Sequence, residues 1–213
     1  MIFQRLKYKF GMDRKKFLLD HVKSHQCTRF LEIGVFNGHF AERLLSVARK
    51  SSPSTQIYYL GVDLFKEGLT SEKYLSEISL YPNTLSEVYS KLNKFNNVKI
   101  ELIQGNSIEV IPLLPKNLKF DLVHIDGGHS LDTVKSDWSN ISRLIGTKTA
   151  VFFDDYSNKR GVVKGGFGVK EVVDKIDTAT FKIEHSLNHD FFWKAYGLLI
   201  LRMVRVTLNT FGK

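Results

Sequence analysis

The chain has 213 residues, 43% hydrophobic and 25% charged. That is enough apolar material for one domain with a full core, and it is not the composition of a disordered, collagenous or repeat protein. Cys27 stands alone, which excludes an intrachain disulfide and a cysteine-based zinc site, and the longest late apolar run, 195–201, falls far short of the ~18 residues of a membrane span.

Thirty-one basic against 22 acidic residues give a net charge of +9, concentrated at the two ends. Residues 1–29 hold eight basic and two acidic side chains, and 191–213 hold four basic and no acidic ones. A polyanion-binding surface and an ordinary solubilising surface both fit that distribution. Charges interrupt the first seven residues too often for a secretory segment, so the expectation is a cytoplasmic protein with no membrane span.

Taken in chain order, residues 1–28 read as a basic extension with a helix over 12–26, ahead of a domain spanning 29–213. Phe30–Ile33 is a short strand ending at Gly34, and Phe40, Leu44, Leu45 and Ala48 follow at helical spacing. A second strand, Ile57–Val62, ends at Asp63; residues 69–95 then hold two helices broken near Pro82. Val98–Ile103 ends near Gly105, Phe120–Ile125 at Asp126 and Ala150–Phe153 at Asp154. Helical patterns (Leu131, Val134, Trp138, Ile141, Leu144; then Val169, Val172, Val173, Ile176) follow the last two of these. Phe181–His185 and Tyr196–Met203 complete seven strands. Apolar runs without polar alternation suit strands covered on both faces. The pattern therefore predicts an α/β fold: a doubly wound, Rossmann-like, seven-stranded and mostly parallel sheet with helices on both faces.

Ligands of such sheets bind beyond the carboxyl ends of the strands, where Gly34, Asp63, Gly105, Asp126 and Asp154 collect. The loop Glu32-Ile33-Gly34-Val35-Phe36-Asn37-Gly38 turns from strand into helix but lacks the G-x-G-x-x-G spacing of a pyrophosphate cradle. Glu32 beside it suits an ammonium better than a phosphate, and Asp63 could accept hydrogen bonds from ribose hydroxyls. S-adenosylmethionine meets both demands, since it carries an ammonium and a sulfonium and no phosphate.

A second constellation is Asp126, His129, Asp154 and Asp155, whose carboxylates would converge at neighbouring strand ends and repel unless a cation or proton intervened. Mg²⁺ suits such oxygen donors, and His129 has the pKa range of a base that takes a hydroxyl proton. The alternative is that the acids cap helices and order turns, with Ser130 or Asp132 opening the helix after the fourth strand.

Residues 29–176, through the 32–38 loop, Asp63 and Asn106-Ser107, resemble the class I S-adenosylmethionine-dependent methyltransferases. That resemblance implies that Glu32, Gly34, Phe36, Asn37 and Gly38 border the methionine part of the cofactor, that Asp63 holds the ribose, that Asn106 and Ser107 lie beside the adenine, and that Asp126 also borders the cofactor. Asn106 departs from the acid common in the family. The runs Ile125-Asp126-Gly127-Gly128-His129-Ser130 and Phe153-Asp154-Asp155-Tyr156, with Asp137-Trp138 between them, are similar to the metal-dependent sugar O-methyltransferases of the macrocin and mycinamicin type. There, by resemblance, Asp126, Asp154 and Asp155 bind Mg²⁺ and His129 is the base, with Asp126 and His129 as the catalytic pair. The implied acceptor is a hydroxyl of a small molecule or sugar.

The glycine-rich stretch 158–168, with Lys159, Arg160 and Lys164, reads either as a lid that greets an anionic substrate or as a flexible connection. His185, His189 and Asp190, near the sixth strand, read as surface residues first, with a contribution to a pocket as the alternative. A nucleic-acid methyltransferase using the basic ends is the main rival reading, although the Asn/Asp-Pro-Pro-Tyr/Phe motif of base-amino methyltransferases is missing. A non-catalytic cofactor-binding domain is the second rival.

Overall fold

The computed structural model describes residues 13–67, 83–157, 168–194 and 197–209. The helix expected in 69–82 and the candidate lid at 158–167 lie outside those residues.

The elements run α1 (Lys15–His25), β1 (Arg29–Ile33), α2 (His39–Ser51), β2 (Ile57–Asp63), α3 (Leu85–Leu92), β3 (Val98–Gln104), α4 (Ser107–Val110), a 3₁₀ turn (Ile111–Leu113), β4 (Leu122–Ile125), α5 (Leu131–Ser142), β5 (Ala150–Ser157), α6 (Gly168–Val173), β6 (Phe181–Lys194) and β7 (Gly197–Leu208). The seven strands form one sheet in the order β3-β2-β1-β4-β5-β7-β6. The first five strands pair in parallel, and β7 enters antiparallel between β5 and β6. The strand order reverses between β1 and β4, the switch point where an open α/β sheet leaves a crevice.

Side-chain alternation in the strands divides the apolar residues between two cores. Leu31, Val123 and Phe153 point to one, with Ile111, Val134, Ile141 and Val169 from the 3₁₀ turn, α5 and α6. Phe30, Leu122 and Phe152 point to the other, with Leu18 and Val22 of α1, Leu44 and Leu45 of α2, and Val88 and Leu92 of α3. Both faces are covered, as the unbroken apolar runs required. α1 is thus built into a core: Phe17 stands edge-on to Phe152, with ring centroids 5.7 Å apart.

Two strands are longer than expected. The break read after His185 is a bulge, across which the β6–β7 register shifts between His185 and His189. There Ser186 Oγ donates to the Asn188 carbonyl at 2.6 Å and accepts from Met203 N–H at 3.1 Å, so a side chain replaces part of the ladder. β5 likewise runs on through Asp154 and Asp155, with an irregularity between Phe153 and Tyr156.

Candidate active site

At the end of β1, Gly34 has φ +89°, and a Cβ there would lie 2.1 Å from the backbone oxygen of Asp126. Only glycine permits both the turn and that close approach. The turn is stitched to its neighbours by Gly34 N–H to the Val62 carbonyl at 2.9 Å and Asp126 N–H to the Ile33 carbonyl at 2.8 Å. Phe36 adopts φ +54°. Asp63 holds it by accepting its N–H at 2.7 Å, while the other oxygen accepts Phe65 N–H at 2.9 Å. Asn37 accepts the N–H of His39, and Gly38 opens α2 at φ +72°.

Glu32 lies beneath this turn. Its oxygens are taken by the Tyr59 hydroxyl and by His124 Nδ1, the latter at 3.1 Å. Burial first, and then the Glu32 charge, raise the Tyr59 phenol well above its ordinary range. Glu32 is 1% exposed, so it braces the turn from below. Asn106 caps α4 by accepting Ile108 N–H at 3.0 Å, and Ser107 is buried beside it. Gly105 N–H reaches the Asp63 carbonyl at 2.9 Å, which brings this strand end to the Asp63 mouth.

Asp126, His129, Asp154 and Asp155 do converge. Ligand atoms of Asp126, His129 and Asp155 lie within 4.8 Å of one another, as do those of His124, Asp126 and Asp154. Helix capping does not explain the acids: Ser130 caps α5, accepting Thr133 N–H at 3.2 Å. Asp154 does order the turn, accepting Asp155 N–H at 2.8 Å, and Asp155 is held at φ +56°, a conformation that a non-glycine residue adopts at a cost. This strained position aims Asp155 Oδ2 at His129 Nε2, 3.0 Å away. Burial works against charge on His129. The bond to Asp155 and the charges of Asp155, Asp126 and Asp154 outweigh it and raise its pKa.

The carboxylates are joined by two cations from α1. Lys15 Nζ stands 2.8 Å from Asp126 and 3.3 Å from Asp154, and 4.3 Å above the Phe40 ring. The Arg14 guanidinium spans three acids: Nε meets Asp154, one terminal nitrogen meets Asp190, and the other lies 2.5 Å from Asp155. Burial alone would raise Asp154, which is 1% exposed, but Lys15 and Arg14 hold it well below the usual carboxylate range. Burial pushes Asp126 up to about 6, and Lys15 only partly offsets that.

The expectation of Mg²⁺ meets a difficulty here. The donors are the right chemistry for it. However, the ammonium of Lys15 already stands 2.8 Å from Asp126 and 3.3 Å from Asp154, and the Arg14 guanidinium holds Asp155, so the residues as arranged do not fit a metal. Sequence alone gives Arg14, Lys15, His124 and Tyr59 no place in this region, and of the two roles open to Asp190 the structure favours the pocket, since it meets Arg14. The available signal was electrostatic: three converging acids demanded positive charge, and Arg14-Lys15-Lys16 is the densest basic run near the first strand. His185 packs edge-on against Tyr156 instead of reaching the cluster.

Residues 31–156, more than half of the chain, match a family model described as a methyltransferase domain. No curated protein matches the chain. Among solved structures, the O-methyltransferase TomG from Streptomyces achromogenes, involved in tomaymycin synthesis and bound to S-adenosylmethionine, is 15% identical with a TM-score of 0.59, over 91% of this chain and 79% of that one. The Bacillus cereus O-methyltransferase bound to S-adenosylhomocysteine is also 15% identical at a TM-score of 0.59, over 92% and 80%. A Clostridium thermocellum protein assigned as an rRNA methylase is 14% identical at 0.58, over 91% and 97%. At such identities the likeness establishes the fold and leaves the methyl acceptor open.

Proposed function

The chain belongs to the methyltransferase-domain family and has the class I fold of S-adenosylmethionine-dependent methyltransferases, and from that premise we propose that it methylates a hydroxyl of a small molecule or sugar, with His129 as the base. The observation that carries this reading is the His129–Asp155 pair, 3.0 Å apart, at the same sheet mouth as the Gly34 turn and Asp63.

The cofactor, when bound, supplies an electrophilic methyl group on a positive sulfonium. The mouth fits that charge: among the described residues, the four acids Asp126, Asp154, Asp155 and Asp190 meet two permanent cations, Arg14 and Lys15, with the rings of His124 and His129 beside them. Gly34, Phe36, Asn37 and Gly38 form the turn proposed to border the methionine part. Glu32 supports that turn through Tyr59 and His124. Asp63 faces the ribose position while fixing Phe36 and Phe65, and Asn106 with Ser107 flanks the adenine position.

His129 does the proton work. Asp155 stands 3.0 Å from Nε2 and orients the ring, which takes the proton of an acceptor hydroxyl. The raised pKa makes the neutral ring a stronger base. Alignment of hydroxyl and methyl by a closed mouth supplies much of the remaining acceleration. We take 29–213 as the catalytic domain and 1–28 as an extension whose helix α1 completes this mouth.

A nucleic-acid acceptor is the second reading, favoured by the excess of basic residues near the ends. Part of that excess is spent inside the molecule. Arg14 and Lys15 serve the acid cluster, and Arg205 pairs with Glu184 at 2.8 Å. Among the described residues, no helix is long and apolar enough to cross a membrane.

The test is release of S-adenosylhomocysteine from S-adenosylmethionine across a panel of sugar and small-molecule hydroxyl acceptors, with wild type and His129→Ala. His129→Ala should lower turnover about 10²–10⁴-fold while S-adenosylhomocysteine still binds. Turnover on RNA alone would favour the second reading, and undiminished turnover in the variant would remove His129 from the chemistry.

A further inference from the structure

We propose that α1 supplies the cation of this acid cluster from within the chain: Lys15 and Arg14 occupy the place a divalent metal would take, and the protein functions without one. The inference rests on the reading of the mouth as the methyl-transfer site and adds to it where the charge compensation comes from.

Lys15 Nζ bridges Asp126 and Asp154 at 2.8 and 3.3 Å, as a metal ion shared by two carboxylates would bridge them. Asp154 Oδ2 is buried and accepts no hydrogen bond among the described residues, so the ammonium is its compensating charge. The Phe40 ring lies 4.3 Å from the ammonium, a neighbour that favours an organic cation over a hydrated ion. Arg14 takes Asp154 and Asp155 with two nitrogens of one planar group and ties Asp190 of β6 with a third. Two nitrogens on two acids is the fork geometry that guanidinium provides and a spherical ion does not.

Both residues are held in place from behind. Leu18 and Val22 bury the same helix in the core under the sheet. Asp13, next to Arg14, pairs with Arg43 of α2 at 2.5 Å. Arg205 of β7 reaches His21 on the second turn at 3.1 Å. A metal held by Asp126 and Asp154 would have to expel Lys15, whose helix is anchored on three elements.

The experiment titrates Mn²⁺ into the metal-stripped full chain and follows the free-ion EPR signal, for wild type, Lys15→Met and Lys15→Arg. Wild type and Lys15→Arg should leave the signal of the free ion unchanged at equimolar protein. Lys15→Met should gain one Mn²⁺ per chain, more than about tenfold tighter than wild type, because removing a unit charge a few ångströms from the site removes a strong repulsion. Stoichiometric Mn²⁺ binding by wild type, as tight as in Lys15→Met, would overturn the inference, and so would a folded Lys15→Met that gains no site. If Lys15→Met does not fold, Lys15→Gln takes its place and the wild-type titration remains decisive. Binding of S-adenosylhomocysteine in EDTA is read on the same wild-type sample. Its loss in EDTA with recovery in Mg²⁺ would also overturn metal independence, whereas its absence under both conditions counts against the methyl-transfer reading and leaves the Mn²⁺ result standing.

Discussion

The two halves of the sheet mouth are built in different ways. At the ends of β1, β2 and β3, polar side chains serve the backbone or near neighbours: Asp63 fixes Phe36 and Phe65, Asn106 fixes Ile108, and Asn37 fixes His39. At the ends of β4 and β5, acids are compensated by side chains more than a hundred residues away in sequence, with Arg14 on Asp154 and Lys15 on Asp126. The first half is a shaped turn that needs glycine and good local hydrogen bonds. The second is a charge cluster that needs the fold to bring a helix to it.

That contrast can be broken by substitution. The largest expected effect is in the second half. Arg14→Met leaves Asp154 buried with one partner fewer, and breaking a buried pair in this way costs about 3–5 kcal/mol. Urea unfolding of the two proteins measures it, and a loss under about 1 kcal/mol would mean that Arg14 is a surface side chain in solution. In the first half, Gly34→Ala places a Cβ against the Asp126 carbonyl at a positive φ and should cost about 2–4 kcal/mol. Neutral stability of that variant would show that the turn relaxes and that its shape is not fixed by β4.

The smallest effect sharpens the chemistry. His129 has a raised pKa, and a base acts only when unprotonated. Methyl transfer should therefore rise with pH, about tenfold per unit on the acid limb, with a midpoint above ~6.5. Asp155→Asn removes the paired charge, so the midpoint should move down towards that of an ordinary histidine. A pH-independent rate, or a midpoint unmoved by Asp155→Asn, would separate His129 from the proton transfer.

The same contrast explains what the sequence revealed. Strand runs such as Phe152-Phe153 showed double-sided burial because adjacent residues feed two cores. The Gly34 turn was legible because its chemistry is local. The end read at His185 was a bulge, for Ser186 and Asn188 look like turn residues and only pairing with β7 shows that the strand resumes. The positions of Asp126, His129, Asp154 and Asp155 followed from topology. Their partners did not, because the basic run at 14–16 carries no periodicity that points across 111 or 140 residues of chain. Mg²⁺ was the economical cation when those partners were unknown. His124 was read as an ordinary strand residue, since its role appears only once Glu32 is beside it at 3.1 Å.

The central claim is that the ends of β1, β2 and β4 form a pocket for S-adenosylmethionine. Calorimetric titration of S-adenosylhomocysteine into the wild-type chain tests it most directly, with Asp63→Ala, folded by circular dichroism, as the comparison. The account expects saturable binding of one molecule per chain, weakened about tenfold or more when Asp63 is removed. No binding by the wild-type chain, or binding that Asp63→Ala leaves unchanged, would contradict it.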